Sequence, residues 1–307
     1  MNICPITYES CEGKYSLKGL KQLSSILEDL EDFPYTAAEQ LQVAAEIAPK
    51  MSIQGVQPKL SALLKPRFKK FTVVETGGRY ILKPQNPQFA NLPENEDLSM
   101  RLANAAGIET PLHGMVYSKD GSMTYFIKRF DRAGKSKIAV EDFSQLSGLT
   151  RDTKYDASME KIGATVKRYC TFPAVENIKL FKLTLINFLI GNEDMHAKNF
   201  SLITRKGKIE MAPAYDILNS IIVLPGIPEE SALPLRGKKS KLTSADLIDY
   251  YGRERLGLNS KIISKSVHQI RQAIPTWEQL IKVSFLPEEM KASYRDLLDN
   301  RKKRLSI

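Results

Sequence analysis

An aspartate and an asparagine stand five positions apart in the segment 191–199, Gly-Asn-Glu-Asp-Met-His-Ala-Lys-Asn, which follows the most apolar stretch of the chain. Phosphoryl-transfer loops use this spacing, because the carboxylate accepts the proton of the attacking hydroxyl while the amide oxygen holds Mg²⁺. Asp194 is therefore a candidate catalytic base, and Asn199 is a candidate metal ligand. Taken alone, the pair is equally typical of a polar turn after a buried helix.

A further acidic residue, Asp216, ends a short apolar stretch 17 residues after Asn199. Asparagine and aspartate oxygens suit Mg²⁺, which takes few protein ligands and leaves room for phosphate oxygens. Asp216 is thus the second candidate metal ligand. The alternative is that Asp216 caps the segment that begins at Ile217.

A lysine and a glutamate with complementary roles stand upstream. Lys83 ends the strand-like run Tyr-Ile-Leu-Lys, and Glu94-Asn95-Glu96 opens the helix that follows. A strand lysine paired with a helix glutamate positions the α- and β-phosphates in kinases, and Glu96 is the first choice of partner. The alternative is a solvent-facing lysine at a strand end, with acidic residues that complement a helix dipole.

The segment 51–59, Met-Ser-Ile-Gln-Gly-Val-Gln-Pro-Lys, contains small and polar residues that suit a phosphate-binding loop. Backbone N–H groups and an ammonium can surround phosphates in such a loop. Ser52, Gly55, Gln57 and Lys59 are therefore candidate nucleotide-binding residues. The segment is not a G-x-G-x-x-G motif, and an ordinary helix-to-strand connection is the alternative.

The elements that must position these residues follow from hydrophobic spacing and turn signals. Leucines at steps of three and four predict a helix over 17–30, and Thr36 with Glu39 forms a capping box for a second helix. Strands are predicted over 59–64, 71–75, 79–83, 114–117 and 123–130, with a helix over 94–106 that stops at Gly107.

From about residue 144 the pattern becomes mainly helical. Helices are predicted near 162–168 and 175–190, with short strands over 200–204 and 208–212. The order of loop, strand lysine, helix glutamate, Asp-x-x-x-x-Asn and final aspartate matches a two-lobed phosphotransferase. We therefore predict an α+β, two-lobed protein-kinase-like fold, with a small β-rich N-lobe at 1–133 and a mainly helical C-lobe at 134–307. ATP and Mg²⁺ are expected between the lobes.

Composition sets the wider limits. The 307 residues carry 45 Lys and Arg against 35 Asp and Glu, a formal net charge of +10, which favours an anionic partner. Residues 235–307 hold sixteen basic and eight acidic residues, although a solvated basic face is the commoner explanation of such a run. The three cysteines lack metal-like spacing, and neither a signal sequence nor a membrane span is predicted. We expect a cytoplasmic protein without a histidine-built metal site.

Taken together, these segments resemble the HipA family of toxin serine/threonine kinases, from about residue 49 to the C-terminus. The matching segments are the phosphate loop, the glutamate helix, the Lys-Arg-Phe-Asp-Arg segment, the Glu-Asp-Phe-x-Gln motif and the Gly-Asn-x-Asp-x-His-x-Lys-Asn-Phe-Ser signature. They cover residues 52–59, 94–108, 126–132, 141–148 and 191–201.

The resemblance implies roles for the candidate residues. Asp194 would be the catalytic base, Asn199 and Asp216 would bind Mg²⁺, and Lys83 would contact the phosphates of ATP.

The same resemblance implies an adenine site and a regulatory site. Ile127 and Phe130 would lie in or beside the hinge that holds adenine. Ser52 would be the loop serine whose autophosphorylation disables such kinases, because the modified loop no longer folds over ATP.

Only some fifty residues precede the phosphate loop, which is similar to the short HipT branch of the family. In that branch the missing subdomain is a separate small antitoxin, HipS, beside a DNA-binding HipB. The resemblance then implies a HipS-like and a HipB-like partner, with DNA contact only through the latter and no membrane partner. It also implies a serine of an aminoacyl-tRNA synthetase, tRNA-bound or free, as the phosphorylated substrate, so that translation stops.

Two other functions compete with this interpretation. A non-catalytic binding module of a toxin–antitoxin complex would not need Asp194, Asn199, Asp216 and Lys83 intact. A small-molecule kinase of the aminoglycoside or choline type shares the order of parts but lacks the Ser-Ile-Gln-Gly-Val-Gln-Pro-Lys loop.

Overall fold

The computed structural model describes residues 1–47, 57–134, 136–150, 153–224, 226 and 228–307. The chain divides into two compact units, each assembled from several stretches of sequence. Unit 1 comprises Met1–Leu98, Pro111–Lys135 and Lys282–Leu286, and unit 2 comprises Ser99–Thr110, Ser136–Ile281 and Pro287–Ile307. The single division between residues 133 and 134 stays a prediction.

Unit 1 contains the β-rich part of the chain. Its strands are β1 (Asn2–Ile3), β2 (Ser10–Cys11), β3 (Leu60–Lys65), β4 (Lys70–Val73), β5 (Tyr80–Lys83), β6 (His113–Tyr117), β7 (Met123–Lys128) and β8 (Arg132–Ala133). β1 pairs with β2. Five further strands form an antiparallel sheet in the order β4-β3-β5-β7-β6. The predicted small antiparallel sheet is confirmed, with β5 at its centre.

The helices of the first hundred residues are α1 (Leu17–Leu23), α2 (Ala37–Ile47) and α3 (Leu92–Ala105), which runs from unit 1 into unit 2. The predicted capping box forms, because Glu39 N donates to Thr36 Oγ1 at 3.2 Å and Thr36 N donates to Glu39 Oε2 at 2.7 Å. The predicted stop at Gly107 is also confirmed, since this glycine has φ +80° and Ile108 N bonds back to Ala103 O at 3.1 Å.

The predicted helix over 17–30 is wrong beyond Leu23. Ser24 adopts extended dihedrals, φ −160° and ψ 136°, and ends the helix after seven residues. Leu27 and Leu30 are nevertheless buried in the same apolar cluster as Leu20. The leucine spacing therefore predicted correctly which residues are buried, but it did not predict where the helix ends.

Aromatic rings from the sheet fill the rest of that cluster. Phe71, Tyr80 and Phe126 pack with ring centroids 5.1 to 6.0 Å apart. Buried aromatic side chains of this size contribute much of the apolar area that stabilises a small sheet. The cluster thus gives β5, which ends at Lys83, a rigid support.

Unit 2 is mainly helical, as predicted. Its helices are α4 (Phe143–Leu146), α5 (Met159–Tyr169), α6 (Pro173–Ile190), α7 (Ser220–Val223), a π-helix (Ala245–Arg255), α8 (Ser260–Val283), whose last residues belong to unit 1, and α9 (Glu288–Leu305). Its strands are β9 (Ser136–Lys137), β10 (Val140–Asp142), β11 (Ser201–Arg205) and β12 (Lys208–Met211). The last three form an antiparallel sheet in the order β10-β11-β12.

Helix α6 is buried along most of its last three turns, from Leu180 to Ile190. Pro173 occupies its first turn, where the missing N–H costs no hydrogen bond, and Gly191 ends it in a left-handed conformation. In the described part of the chain, no helix combines the length and the apolar character that crossing a membrane requires.

Candidate active site

The loop that carries Asp194 begins where α6 ends. Gly191 has φ +81°, and a Cβ atom there would lie 2.4 Å from Leu297 Cδ2 and 2.8 Å from Asn219 Oδ1. Glycine is therefore required both by the backbone conformation and by the space available. Ser220 N and Ser220 Oγ both donate to Gly191 O at 3.1 Å, which fixes the first residue of the loop.

Within the loop, Asp194 and Asn199 are joined through backbone atoms. Asn199 Nδ2 donates to Asp194 O at 3.1 Å, and His196 N donates to the same oxygen at 2.8 Å. Among the described residues, Asn199 Oδ1 accepts no hydrogen bond. The amide oxygen that the sequence analysis assigned to a metal therefore remains available as a ligand.

Asp216 lies on the segment that follows β12, and its backbone has φ +54°. Aspartate tolerates this left-handed region, at a cost of about 1–3 kcal/mol that recurs at functional sites. The neighbouring Tyr215 ties the segment to the loop, because its hydroxyl donates to Lys198 O at 2.9 Å and hydrogen-bonds Ser201 Oγ.

His196 lies between Asp194 and Asn199 in the loop. Burial lowers the pKa of His196, while the negative charges of Asp194 and Asp216 both oppose this shift. Asp194 and Asn199 are joined within this loop, and the contact of Tyr215 with Lys198 O holds the segment of Asp216, the next residue, against the same loop.

Two residues that the sequence analysis did not single out, Lys154 and Tyr155, contact the same loop. Lys154 Nζ lies 2.7 Å from His196 Nε2, and Tyr155 Oη donates to Asp194 Oδ1 at 2.7 Å. The Lys154 contact requires a neutral imidazole with an accepting Nε2, in agreement with the lowered pKa of His196. The segment around them shows neither hydrophobic periodicity nor a recognisable motif, so this role has no signal in the sequence.

Unit 1 contains the second half of the predicted machinery. Lys83 Nζ lies 2.7 Å and 2.8 Å from the two carboxylate oxygens of Glu96. Both side chains are almost completely buried, with exposed fractions of 5% and 2%. The ion pair expected between the end of β5 and the first turns of α3 therefore forms.

Unit 1 contains further buried polar groups. His113 Nδ1 lies 2.9 Å from Asp97 Oδ1, and Glu94 Oε1 accepts a hydrogen bond of 2.7 Å from Gln85 Nε2. Burial, the largest cause, raises the pKa of Glu94 to about 7. Its other oxygen, Oε2, has no hydrogen-bond partner among the described residues.

The structure places the other predicted nucleotide-binding residues as follows. Ile127 is buried in β7, and Phe130 lies two residues beyond the end of this strand, half-buried. Gln57 and Lys59 are half-buried in the segment before β3. Ser52 and Gly55 lie outside the described residues, so their roles stay predictions.

The donor set fits Mg²⁺. Asn199 and Asp216 supply one amide oxygen and one carboxylate, and Mg²⁺ sites in phosphotransferases use one or two such ligands with substrate phosphates completing the shell. Among the described residues there is no cluster of three or more His, Cys, Asp or Glu side chains that would hold a metal on its own.

Residues 51–277 match the family of the HipA-like C-terminal domain. A putative kinase of Haemophilus influenzae is 28% identical over 323 residues, which cover 94% of this chain and 93% of that protein. The serine/threonine-protein kinase toxin HipA of Shewanella oneidensis is 25% identical over 191 residues. That match covers 56% of this chain and 43% of the toxin.

Solved structures with a similar fold include HipA of Shewanella oneidensis in complex with HipB and operator DNA. It superposes with a TM-score of 0.70 at 21% identity and covers 92% of this chain and 74% of that one. The Helicobacter pylori proinflammatory kinase CtkA gives a TM-score of 0.54 at 16% identity, over 73% of this chain and 86% of that one. Both are kinases, so the two-lobed protein-kinase-like fold is confirmed. Because the family match spans most of its length, this chain belongs to the family of the HipA-like C-terminal domain, and together with the kinases among its relatives this makes it a protein kinase.

Proposed function

We propose that this protein is a toxin serine/threonine kinase that transfers the γ-phosphoryl group of ATP to a serine of an aminoacyl-tRNA synthetase and thereby stops translation. The observation that carries the proposal is the loop after α6. There the Asn199 amide nitrogen donates to Asp194 O and Tyr155 Oη donates to Asp194 Oδ1, so that Asp194 Oδ2 is left for the substrate and Asn199 Oδ1 for the metal.

In the proposed reaction, the hydroxyl oxygen of the substrate serine forms a bond to the γ-phosphorus. Asp194 accepts the proton of that hydroxyl. The bond from that phosphorus to the β,γ-bridging oxygen breaks, and its electron pair leaves with ADP. Lys83, held by Glu96, would contact the α- and β-phosphates, while Asn199 and Asp216 would hold Mg²⁺. When bound, Mg²⁺ neutralises developing charge on the phosphate oxygens.

The proposed regulation acts through Ser52, whose autophosphorylation would disable the kinase. A phosphate adds roughly −1.5 to −2 charges, which disfavours a loop that must approach the phosphates of ATP. Gln57 and Lys59 would contribute to the same phosphate loop, and Ile127 and Phe130 to the adenine site.

The proposed partners are a HipS-like antitoxin and a HipB-like DNA-binding protein in the cytoplasm. Support for a HipB-like partner comes from the similar Shewanella HipA, which was solved with HipB and operator DNA. DNA contact would run only through that partner.

Intact-mass spectrometry tests the activity. The wild type, Asp194→Gln and Asp296→Gln are each incubated with ATP and Mg²⁺, alone and with a cell extract, and added phosphates are mapped. Asp296 is exposed on α9 and provides the same substitution away from the loop. We expect phosphate on Ser52 and on one synthetase serine with the wild type and Asp296→Gln only. Absence of phosphate with a folded, ATP-binding wild type would contradict the proposal.

A further inference from the structure

The contacts of Lys154 and Tyr155 form a two-residue clamp on the loop that carries Asp194. Besides the contacts to Asp194 and His196, Ala197 N donates to Lys154 O at 3.4 Å. The ring of Tyr155 meets that of His196 edge to face, with centroids 5.2 Å apart and an interplanar angle of 82°. Two consecutive residues therefore contact three positions of the loop.

The backbone presents these two side chains together. Asp156 N donates to Thr153 O at 2.8 Å, which closes a turn with Lys154 and Tyr155 as its central residues. The ammonium of Lys154 lies 4.8 Å from the centroid of the Tyr155 ring, so each side chain of the clamp also supports the other.

We propose that Tyr155 is a positioning residue for phosphoryl transfer, whose hydroxyl holds Oδ1 of Asp194 and leaves Oδ2 to receive the proton of the substrate hydroxyl. The inference rests on the proposed function, in which Asp194 is the base. A carboxylate otherwise turns easily about its last side-chain bond, which makes its two oxygens interchangeable. A donor fixed on one oxygen removes this freedom and orients the other one toward the attacking group.

A tyrosine suits this task because it stays a neutral donor. Burial and the hydrogen bond to Asp194 raise the pKa of Tyr155, so its hydroxyl keeps its proton over the whole range of kinase assays. An ammonium in its place would hold the carboxylate by full charge, and this would weaken Asp194 as a proton acceptor. Tyr155 is 40% exposed, so the contact lies at the protein surface rather than in the core.

The test compares Tyr155→Phe with Tyr169→Phe. The control residue lies at the end of α5 in the same unit, and its hydroxyl forms no hydrogen bond with any described residue. Rates of phosphate transfer from labelled ATP are measured, both to the chain itself and to dephosphorylated casein. The unfolding temperature and the KM for ATP are measured with each variant.

We expect kcat of Tyr155→Phe to fall by about 10- to 100-fold, the loss typical when one hydrogen bond to a charged reacting group is removed. Its KM for ATP and unfolding temperature stay at wild-type values, and Tyr169→Phe behaves as the wild type. A wild-type kcat in Tyr155→Phe overturns the inference. So does a loss of kcat that only parallels a lower unfolding temperature or weaker ATP binding, because a merely structural residue would behave in this way.

Asp194→Gln in the same series separates the two proposals. If it transfers phosphate as the wild type does, or if the wild type transfers none, the proposed function fails and the inference fails with it. If Asp194→Gln is inactive while Tyr155→Phe is fully active, the inference alone fails.

Discussion

At the scale of single residues, the buried ion pair between Lys83 and Glu96 has a structural consequence that is separable from its proposed role with phosphates. Removing one member leaves a buried charge without its counterion, which typically costs about 3–5 kcal/mol. Replacing both members by apolar residues of similar size is often neutral.

We therefore expect Lys83→Met to lower the free energy of unfolding by about 3 kcal/mol and the double variant Lys83→Met/Glu96→Leu to recover most of it. Phosphate transfer should be lost in both variants, because neither supplies an ammonium to the phosphates. Denaturant unfolding and labelled-ATP assays provide the two readouts. Activity in the double variant would assign Lys83 to folding alone.

Glu94 makes the free energy of unfolding depend on pH with the opposite sign to most carboxylates. Its folded pKa, about 7, lies above the ordinary value of 4.5 because the side chain is buried and Oε2 lacks a partner among the described residues. Between these two values the folded state binds more protons than the unfolded state. The contribution of the Glu94 carboxyl group to the free energy of unfolding is therefore fully present below pH 4.5. It is lost as the pH rises toward 7.

The side chain of the variant Glu94→Gln cannot ionise, so its free energy of unfolding should lack the pH-dependent contribution of Glu94. We expect it to gain at most about 3 kcal/mol over the wild type at pH 8, the upper limit for a shift of this size. The difference should shrink as the pH falls below 7 and disappear only below about pH 4.5. Thermal unfolding of both proteins across this range measures it, and a difference independent of pH would show that Glu94 is not the titrating group.

At the scale of elements, the junction between α6 and the catalytic loop depends on a glycine with no space for a side chain. Gly191→Ala adds a strained left-handed alanine and a Cβ only 2.4 Å from Leu297 Cδ2. Gly207, between β11 and β12, has a similar φ of +75° but no neighbouring atom within 4 Å. The two positions thus share the backbone strain and differ in the steric clash.

We expect Gly207→Ala to cost about 1–2 kcal/mol, the penalty of the left-handed conformation, and to leave phosphate transfer unchanged. Gly191→Ala should cost at least about 1 kcal/mol more and reduce transfer, because the clash displaces the start of the loop. Chemical unfolding and initial rates measure both effects. Equal costs at the two glycines would mean that the clash is relieved elsewhere.

The Glu-Asp-Phe-x-Gln motif shows what a sequence signature leaves open. In the structure, Asp142 Oδ1 accepts from Gln145 N at 2.8 Å and Gln145 Oε1 accepts from Asp142 N at 3.0 Å, a capping box for α4. Phe143 N donates to Phe200 O at 2.9 Å, next to the end of the catalytic loop. The motif therefore anchors the loop, a role that depends on tertiary pairing and not on local spacing.

Local signals predicted those elements whose ends are set by nearby residues. The sheet of unit 1, the capping box at Thr36 and the stop at Gly107 follow from turn and capping residues within a few positions. Helix α8, by contrast, was not predicted, although Ile263, Ile270 and Trp277 recur on one buried face. Pro275 lies inside this helix, and proline is a helix-breaking signal when only the sequence is considered.

The clamp residues were beyond sequence reasoning for a different reason. Tyr155 and Asp194 lie 39 positions apart, and the hydrogen bond between them exists only once two loops of unit 2 are folded side by side. The order of motifs along the chain predicted which residues take part in chemistry. It could not predict which side chains hold them.

At the scale of the whole molecule, much of the positive charge of residues 235–307 is used internally. Arg236 and Lys238 both pair with Asp246, and Arg304 pairs with Glu230. Fewer basic side chains are therefore available to bind an external partner than the net charge of this region indicates. In contrast, Lys261 and Lys265 are exposed on one face of α8 and form no ion pair with any described residue.

If this region recognises tRNA, free or bound to a synthetase, the binding must depend on salt, because each lysine that neutralises a phosphate releases counterions. We expect log K for tRNA to fall linearly with log salt concentration, and Lys261→Gln/Lys265→Gln to reduce that slope by about two. Arg253→Gln, which removes an arginine paired with Asp249 at 3.5 Å, is the matched control and should change the slope less. Fluorescence anisotropy with labelled tRNA over a salt series measures all three proteins. Binding that is indifferent to salt, or equal slopes for the wild type and the double variant, would exclude this face of α8 from RNA recognition.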